Sequence, residues 1–215
     1  MTQSLIFALA RGRLLDETSS LLTELGIEPI ESLTGSRKLM FDTRHPGVKL
    51  LVLRAADVPP YVERGGAHLG IAGKDILVEY GSDMLCEPVD LQLSKCRLMT
   101  AMQKGIELPV KGRIRVATKY VNIARRHFAS QGRQIDPIKL YGAMELAPLV
   151  GLADVIVDVV DTGNTLKANG LEPRDLIFYS SARLIVSRVA MKTRHQHIIP
   201  MIEKLNKWTK NQHAS

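Results

Sequence analysis

The chain reads as an α/β protein made of two units, and three observations predict it. Short apolar runs alternate with segments of helical spacing along the whole length. Glycine-bearing or polar turns follow the apolar runs, as they do where strands feed helices. Near residue 95 the pattern starts afresh. At 215 residues the chain is long for one compact unit. Residues 1–92 with 180–215 are expected to form a discontinuous first lobe, and 93–179 the second, with crossings near Leu91–Lys95 and Leu176–Ala182. Ligands of such sheets bind beyond the carboxyl ends of the strands, so one cleft between the lobes is expected to hold them.

The elements follow in order. Ser4–Ala10 is an apolar strand ending in the basic turn Arg11-Gly12-Arg13. Leu14, Leu15, Thr18, Leu21, Leu22 and Leu25 have helical spacing, and Gly26 is the stop. Lys38–Asp42 and Val48–Leu53 read as a hairpin about His45-Pro46-Gly47. Asp57–Arg64 is a short helix whose Pro59-Pro60 pair fits only its first turn. His68–Ala72 is a strand, and Gly73 opens a helix from Lys74 to Tyr80. In the second half, Lys95–Gln103 is a strand, and a loop containing Pro109 leads to the strand Ile114–Thr118. A helix at Val121–Ser130, a strand at Ile138–Tyr141, a short helix at Glu145–Val150 and the strand Val155–Val160 follow. After Leu176–Tyr179, Arg183–Val189 reads as a strand returning to the first sheet. The last helix shows Ile198, Met201, Ile202, Leu205 and Trp208 on one face, and the final residues are expected to be disordered.

Composition narrows the function. The net charge is +7, but Lys192, Arg194, Lys204, Lys207 and Lys210 against Glu203 supply +4 of it in the tail alone. Aromatic residues make up 5% and are not interleaved with the cations as base-stacking surfaces require, which argues against nucleic acid. Small anionic ligands or an acidic partner surface explain the charge as well as nucleic acid does. No apolar run reaches the roughly 18 residues of a membrane span. No signal-peptide pattern opens the chain, and Cys86 and Cys96 lack metal-ligand spacing, so reduced core thiols in a cytoplasmic protein are expected. His195 and His197 have no third ligand nearby in sequence.

The stretch from Asp154 to Leu166 carries most of the functional information. A buried strand runs into the polar loop Asp161-Thr162-Gly163-Asn164-Thr165 and then a helix. Such a loop gathers backbone N–H groups, two hydroxyls and an amide beside a positive helix end, which suits a phosphate. The Asp161 carboxylate would repel phosphate and is better matched to sugar hydroxyls. Together they suggest a ribose-5-phosphate end; the alternative is an ordinary βα turn with an Asx cap. Asp158, inside the apolar strand, is either a structural acceptor or a second ribose contact.

The ordered motifs Leu9-Ala10-Arg11-Gly12-Arg13-Leu14, Ser36-Arg37-Lys38, Gly70-Ile71-Ala72-Gly73-Lys74-Asp75, Ala117-Thr118-Lys119-Tyr120 and Gly142-Ala143-Met144-Glu145-Leu146-Ala147-Pro148 precede that stretch. With Asp161-Thr162-Gly163-Asn164-Thr165-Leu166, this series resembles the ATP phosphoribosyltransferase family over essentially the whole chain. The resemblance implies a two-lobed, type II periplasmic-binding-protein-like fold. It also implies joining of N1 of ATP to C1 of phosphoribosyl pyrophosphate with loss of pyrophosphate, the first step of histidine biosynthesis. It places Arg13 and Arg37 on the phosphates as catalytic residues. Glu145, Asp161, Thr162, Gly163, Asn164 and Thr165 would bind phosphoribosyl pyrophosphate, and Arg11, Arg54, Lys74 and Asp75 would bind ATP. Arg11 stands where the family often has Lys, which keeps the charge and changes the donor geometry. Mg2+ is expected on the substrate phosphates with no protein metal site. The chain resembles the short form, which forms a homodimer within a hetero-oligomer with a regulatory subunit similar to histidyl-tRNA synthetase. The alternative is a non-catalytic small-anion binding protein of the same fold.

Overall fold

The computed structural model describes residues 4–108 and 112–212; Pro109 of the expected loop and residues 213–215 of the tail lie outside them. The chain divides into two compact units, Met1–Ser94 with Ser181–Ser215, and Lys95–Ser180.

The first unit is built on strands β1 (Leu5–Ala10), β2 (Met40–Asp42), β3 (Val48–Leu53), β4 (Leu69–Gly73), β5 (Leu85–Asp90) and β11 (Ala182–Ser187). They lie in the order β2-β3-β1-β4-β11-β5. β1 runs parallel to β3 and β4, while β2 and β11 run against their neighbours. The central strands are apolar on both faces because both are covered, the usual condition of parallel strands. Phe7 and Leu9, Leu50 and Val52 share one core with Leu21, Leu22 and Leu25 of α2 (Ser19–Leu25) and Ile198, Leu205 and Trp208 of α9 (His195–Gln212). The residues between them, Ala8, Ala10, Leu51 and Leu53, pack on the other face with Val58 and Val62 of α3 (Val58–Glu63) and Leu77 of α4 (Lys74–Tyr80).

The second unit is a sheet of β6 (Cys96–Gln103), β7 (Ile114–Thr118), β8 (Ile135–Lys139), β9 (Val155–Val160) and β10 (Leu171–Ser180), in the order β10-β6-β9-β7-β8. β7, β8 and β9 are parallel, and β6 is antiparallel to β9 and β10. Helices α5 (Val121–Ser130), α6 (Leu146–Leu149) and α7 (Asn164–Ala168) connect them. Met99, Ala101, Ile156 and Val160 form one core with Met144, Ala147 and Leu166.

Several boundaries differ from the sequence expectation, each for a local reason. The first helix is two, α1 (Arg13–Glu17) and α2, because the buried Thr18 hydroxyl bonds back to Leu15 O at 2.7 Å. β8 begins earlier than Ile138 because Ile135 already pairs with Ile114; Pro137 is tolerated on this edge strand. β11 stops at Ser187, whose side chain accepts the Ala190 N–H at 3.0 Å and starts α8 (Arg188–Thr193) where strand was expected to reach Val189. β5 was not foreseen, and β10 extends well before Leu176. Cys86 and Cys96 are free and half-buried, not core residues. No helix of the described residues is long and apolar enough to cross a membrane.

Candidate active site

In the first unit, the cationic candidates gather at the carboxyl ends of the parallel strands. Arg11 leaves β1 with its N–H bonded to Leu53 O at 2.8 Å, which extends the ladder by one residue. Gly12 then turns the chain at φ 96°, a conformation few residues other than glycine adopt, and Arg13 opens α1. The Arg13 guanidinium Nε lies 3.5 Å from Glu17 Oε1, one turn on. Arg54 follows β3 as the chain enters a single 3-10 turn, Ala55–Asp57. Arg37 is exposed in the loop before β2; Leu39 O accepts the Val52 N–H at 2.8 Å, which fixes this loop at the same edge.

Lys74 and Asp75 are held more tightly than surface charges. The Lys74 ammonium donates to both Glu87 carboxylate oxygens at 2.8 Å, and its N–H donates to Ser181 O. Asp75 is 8% exposed. Its carboxylate folds over Gly73, where a Cβ would sit 2.3 Å from Oδ1, so glycine leaves room for this placement of the carboxylate.

In the second unit, the loop after β9 has its own construction. Gly163 is left-handed at φ 82° and caps α7, whose Lys167 N–H returns to Gly163 O at 3.0 Å. The Thr162 hydroxyl accepts the Asn164 N–H at 3.3 Å. The first turn of a helix leaves N–H groups without intrahelical acceptors, and here they open beside exposed Asp161, Thr162, Asn164 and Thr165. Leu166, the next residue, is buried and anchors the turn.

Three residues not expected at the site bear on this loop or on the strand that feeds it. Arg97 of β6 donates from its guanidinium to Asp161 O at 3.2 Å. Thr118 ties the end of β7 to β9 by donating to Val157 O at 2.6 Å, while its oxygen accepts the Tyr120 N–H at 2.8 Å. Lys119 Nζ lies 3.6 Å from Asp158 Oδ1. Lys119 lies in the Ala117-Thr118-Lys119-Tyr120 motif at a strand end, and that position was the available signal. Arg97 becomes visible only through the β6–β9 pairing.

Burial pushes the Asp158 carboxyl above its usual range; the Lys119 ammonium opposes this, and the Glu145 charge adds to it. The Asp158 Oδ1 atom also accepts the Val159 N–H at 2.8 Å. Glu145 precedes α6 and is half-buried, within electrostatic reach of Asp158. His195 and His197 open α9, where a two-residue separation does not put side chains on one face.

The comparisons bear on both units. Residues 54–207 match the family model described as HisG: ATP phosphoribosyltransferase. The ATP phosphoribosyltransferase of Marinobacter nauticus is 61% identical over 206 residues, covering 96% of each chain. That of Ectopseudomonas mendocina is 60% identical over 201 residues, or 94% of this chain and 95% of the relative. Among solved structures, the ATP phosphoribosyl transferase (HisG:HisZ) complex from Thermotoga maritima superposes with a TM-score of 0.85 at 31% identity, covering 96% of this chain and 99% of that one. The structure of Tv2483 bound to L-arginine gives 0.62 at 11% identity over 98% and 86% of the chains, a likeness of fold alone.

Proposed function

The chain belongs to the ATP phosphoribosyltransferase family, and from that membership we infer how its residues divide the work. Its activity is the first step of histidine biosynthesis, on the two-sheet, periplasmic-binding-protein-like fold of the family. The adenine N1 lone pair forms a bond to C1 of the ribose while the C1–O bond to pyrophosphate breaks, and that electron pair leaves on pyrophosphate. Adenine N1 is already nucleophilic, so the demands are alignment of two polyanions and stabilisation of the charge that builds on the leaving group.

Asp161, Thr162, Gly163, Asn164 and Thr165 hold the phosphoribosyl end in this reading, with Glu145 on the ribose hydroxyls. The observation that carries it is the loop itself: a left-handed Gly163 opening a helix, with exposed Asp161 at the mouth. Arg13 and Arg37 stabilise the departing pyrophosphate, for which permanently charged, forked guanidinium groups are suited. Arg11, Arg54, Lys74 and Asp75 serve ATP. The inward fold of Asp75 over Gly73 makes its part in this one of shaping the turn.

Magnesium, when bound, neutralises phosphate charge. This ion commonly keeps several waters and few protein ligands, so we assign it to the substrate phosphates. The Thermotoga maritima relative is a HisG:HisZ complex. By analogy this chain is the catalytic subunit, a homodimer, of a hetero-oligomer with a regulatory subunit similar to histidyl-tRNA synthetase. We place the reaction in the cytoplasm, where the free Cys86 and Cys96 stay reduced.

Calorimetric titration of Asp161→Ala tests the loop assignment. Loss of charge-assisted hydrogen bonds to the ribose should weaken phosphoribosyl pyrophosphate by roughly ten- to a hundredfold. ATP affinity should stay within about twofold of wild type. Equal losses for both substrates would overturn the division.

A further inference from the structure

Glu17 is an odd residue to find beside Arg13. A carboxylate within reach of an arginine that must receive phosphates repels those phosphates, so its presence calls for a compensating role. Its second oxygen supplies one. Glu17 Oε2 accepts both the Ser94 N–H at 2.7 Å and the Ser94 hydroxyl at 2.8 Å, across 77 residues of sequence. These are charge-assisted bonds, and they are made at the last residue before the chain enters the second unit.

The backbone at that point is unusual. Gln92 and Ser94 have φ of 58° and 47°, left-handed values uncommon for residues other than glycine. Such conformations persist where the surroundings hold them. Asp90 Oδ1 accepts the Gln92 N–H at 3.0 Å and the Ser181 hydroxyl at 2.7 Å, and Asp90 Oδ2 pairs with Arg183 at 2.9 Å. Leu93 is bound on its carbonyl by the Ala182 N–H at 2.9 Å. Ser94 therefore has a fixed position, and Glu17 is fastened to it.

Helix α1 spans five residues, far below the length at which a helix is stable by itself. Its direction has to come from anchors. Leu15 is buried in the core, and Glu17 is tied to Ser94 at the helix end opposite Arg13. We infer that Glu17, held by Ser94, is a positioning residue that aims Arg13 for the transferase reaction. This rests on Arg13 acting on pyrophosphate. Oε2 fixes the carboxylate, and Oε1 holds the guanidinium Nε in one of its many rotamers until phosphate oxygens replace it.

Steady-state kinetics of Glu17→Gln, Ser94→Gly, Arg13→Ala and the Arg13→Ala/Glu17→Gln pair decide the matter, using the chain with its regulatory partner. Gln keeps a carbonyl acceptor for Ser94 but turns an amide N–H toward Arg13. Glu17→Gln should lower kcat by roughly ten- to a hundredfold through misplacement of Arg13. KM for both substrates should stay within about threefold, and the pair should be no slower than Arg13→Ala alone. Ser94→Gly removes the hydroxyl donor and relieves the left-handed strain, so it should melt no lower than wild type yet lose turnover in the same sense. Wild-type kcat in Glu17→Gln, or losses that multiply in the pair, overturn the positioning role while leaving Arg13 catalytic. Wild-type kcat in Arg13→Ala removes the role of Arg13 and the positioning role with it.

Discussion

Asp158 shows how one side chain can be costly and retained. It interrupts a strand of Val and Ile, and burial raises its carboxyl pKa while Lys119, 3.6 Å away, only partly offsets this. A carboxyl raised in the folded state binds its proton more tightly there than in the unfolded chain. Its contribution is most favourable below the ordinary carboxylate range and is lost as pH rises through the folded value. Asp158→Asn should therefore melt higher than wild type at pH 7, with the gain shrinking toward pH 4. A lower melting point at pH 7 would mean that attraction to Lys119 outweighs desolvation. At this scale the sequence was most readable where partners are near in the chain, as in Thr162, Gly163 and Asn164. Arg97 and Lys119 were not, because what they touch depends on which strands pair.

Elements were legible in proportion to how strongly their own residues determine them. β1, β3 and β9 are predominantly apolar runs, broken only by Lys49 in β3 and Asp158 in β9, and lie where expected. β5 and β10 are half-exposed strands with Pro88 and Pro173 in them, and they exist because β11 and β6 offer an edge. No local pattern announces that. Helix α3 illustrates the reverse, since it is specified by a neighbour lacking a side chain. A Cβ on Gly70 would meet Val58 Cγ1 at 2.8 Å and Val62 Cγ2 at 2.9 Å, so α3 rests directly on the backbone of β4. Gly70→Ala should lower stability by about 1–3 kcal/mol, read from chemical denaturation, as α3 is pushed outward. An unchanged midpoint would show that α3 shifts freely and is not fixed by this contact.

For the whole molecule, we propose that each of the two sheets contributes its own functional groups to the reaction. Each places its functional groups beyond the carboxyl ends of parallel strands, the end at which α/β sheets bind ligands. In the proposed division the first contributes mainly arginines, the second the loop assigned to the phosphorylated sugar. The sequence pointed to both sets of candidate residues because each lies within a few residues of a strand end. What it concealed were the supports, such as Glu17 on Ser94, which join segments far apart in the chain. We propose that the loop binds and the arginines catalyse. The most direct test is kcat and KM of Arg37→Ala with ATP, phosphoribosyl pyrophosphate and magnesium, following adduct absorbance. Loss of leaving-group stabilisation should lower kcat by roughly a hundred- to a thousandfold, with both KM values little changed. A wild-type kcat with raised KM values would make Arg37 a binding residue and contradict the account.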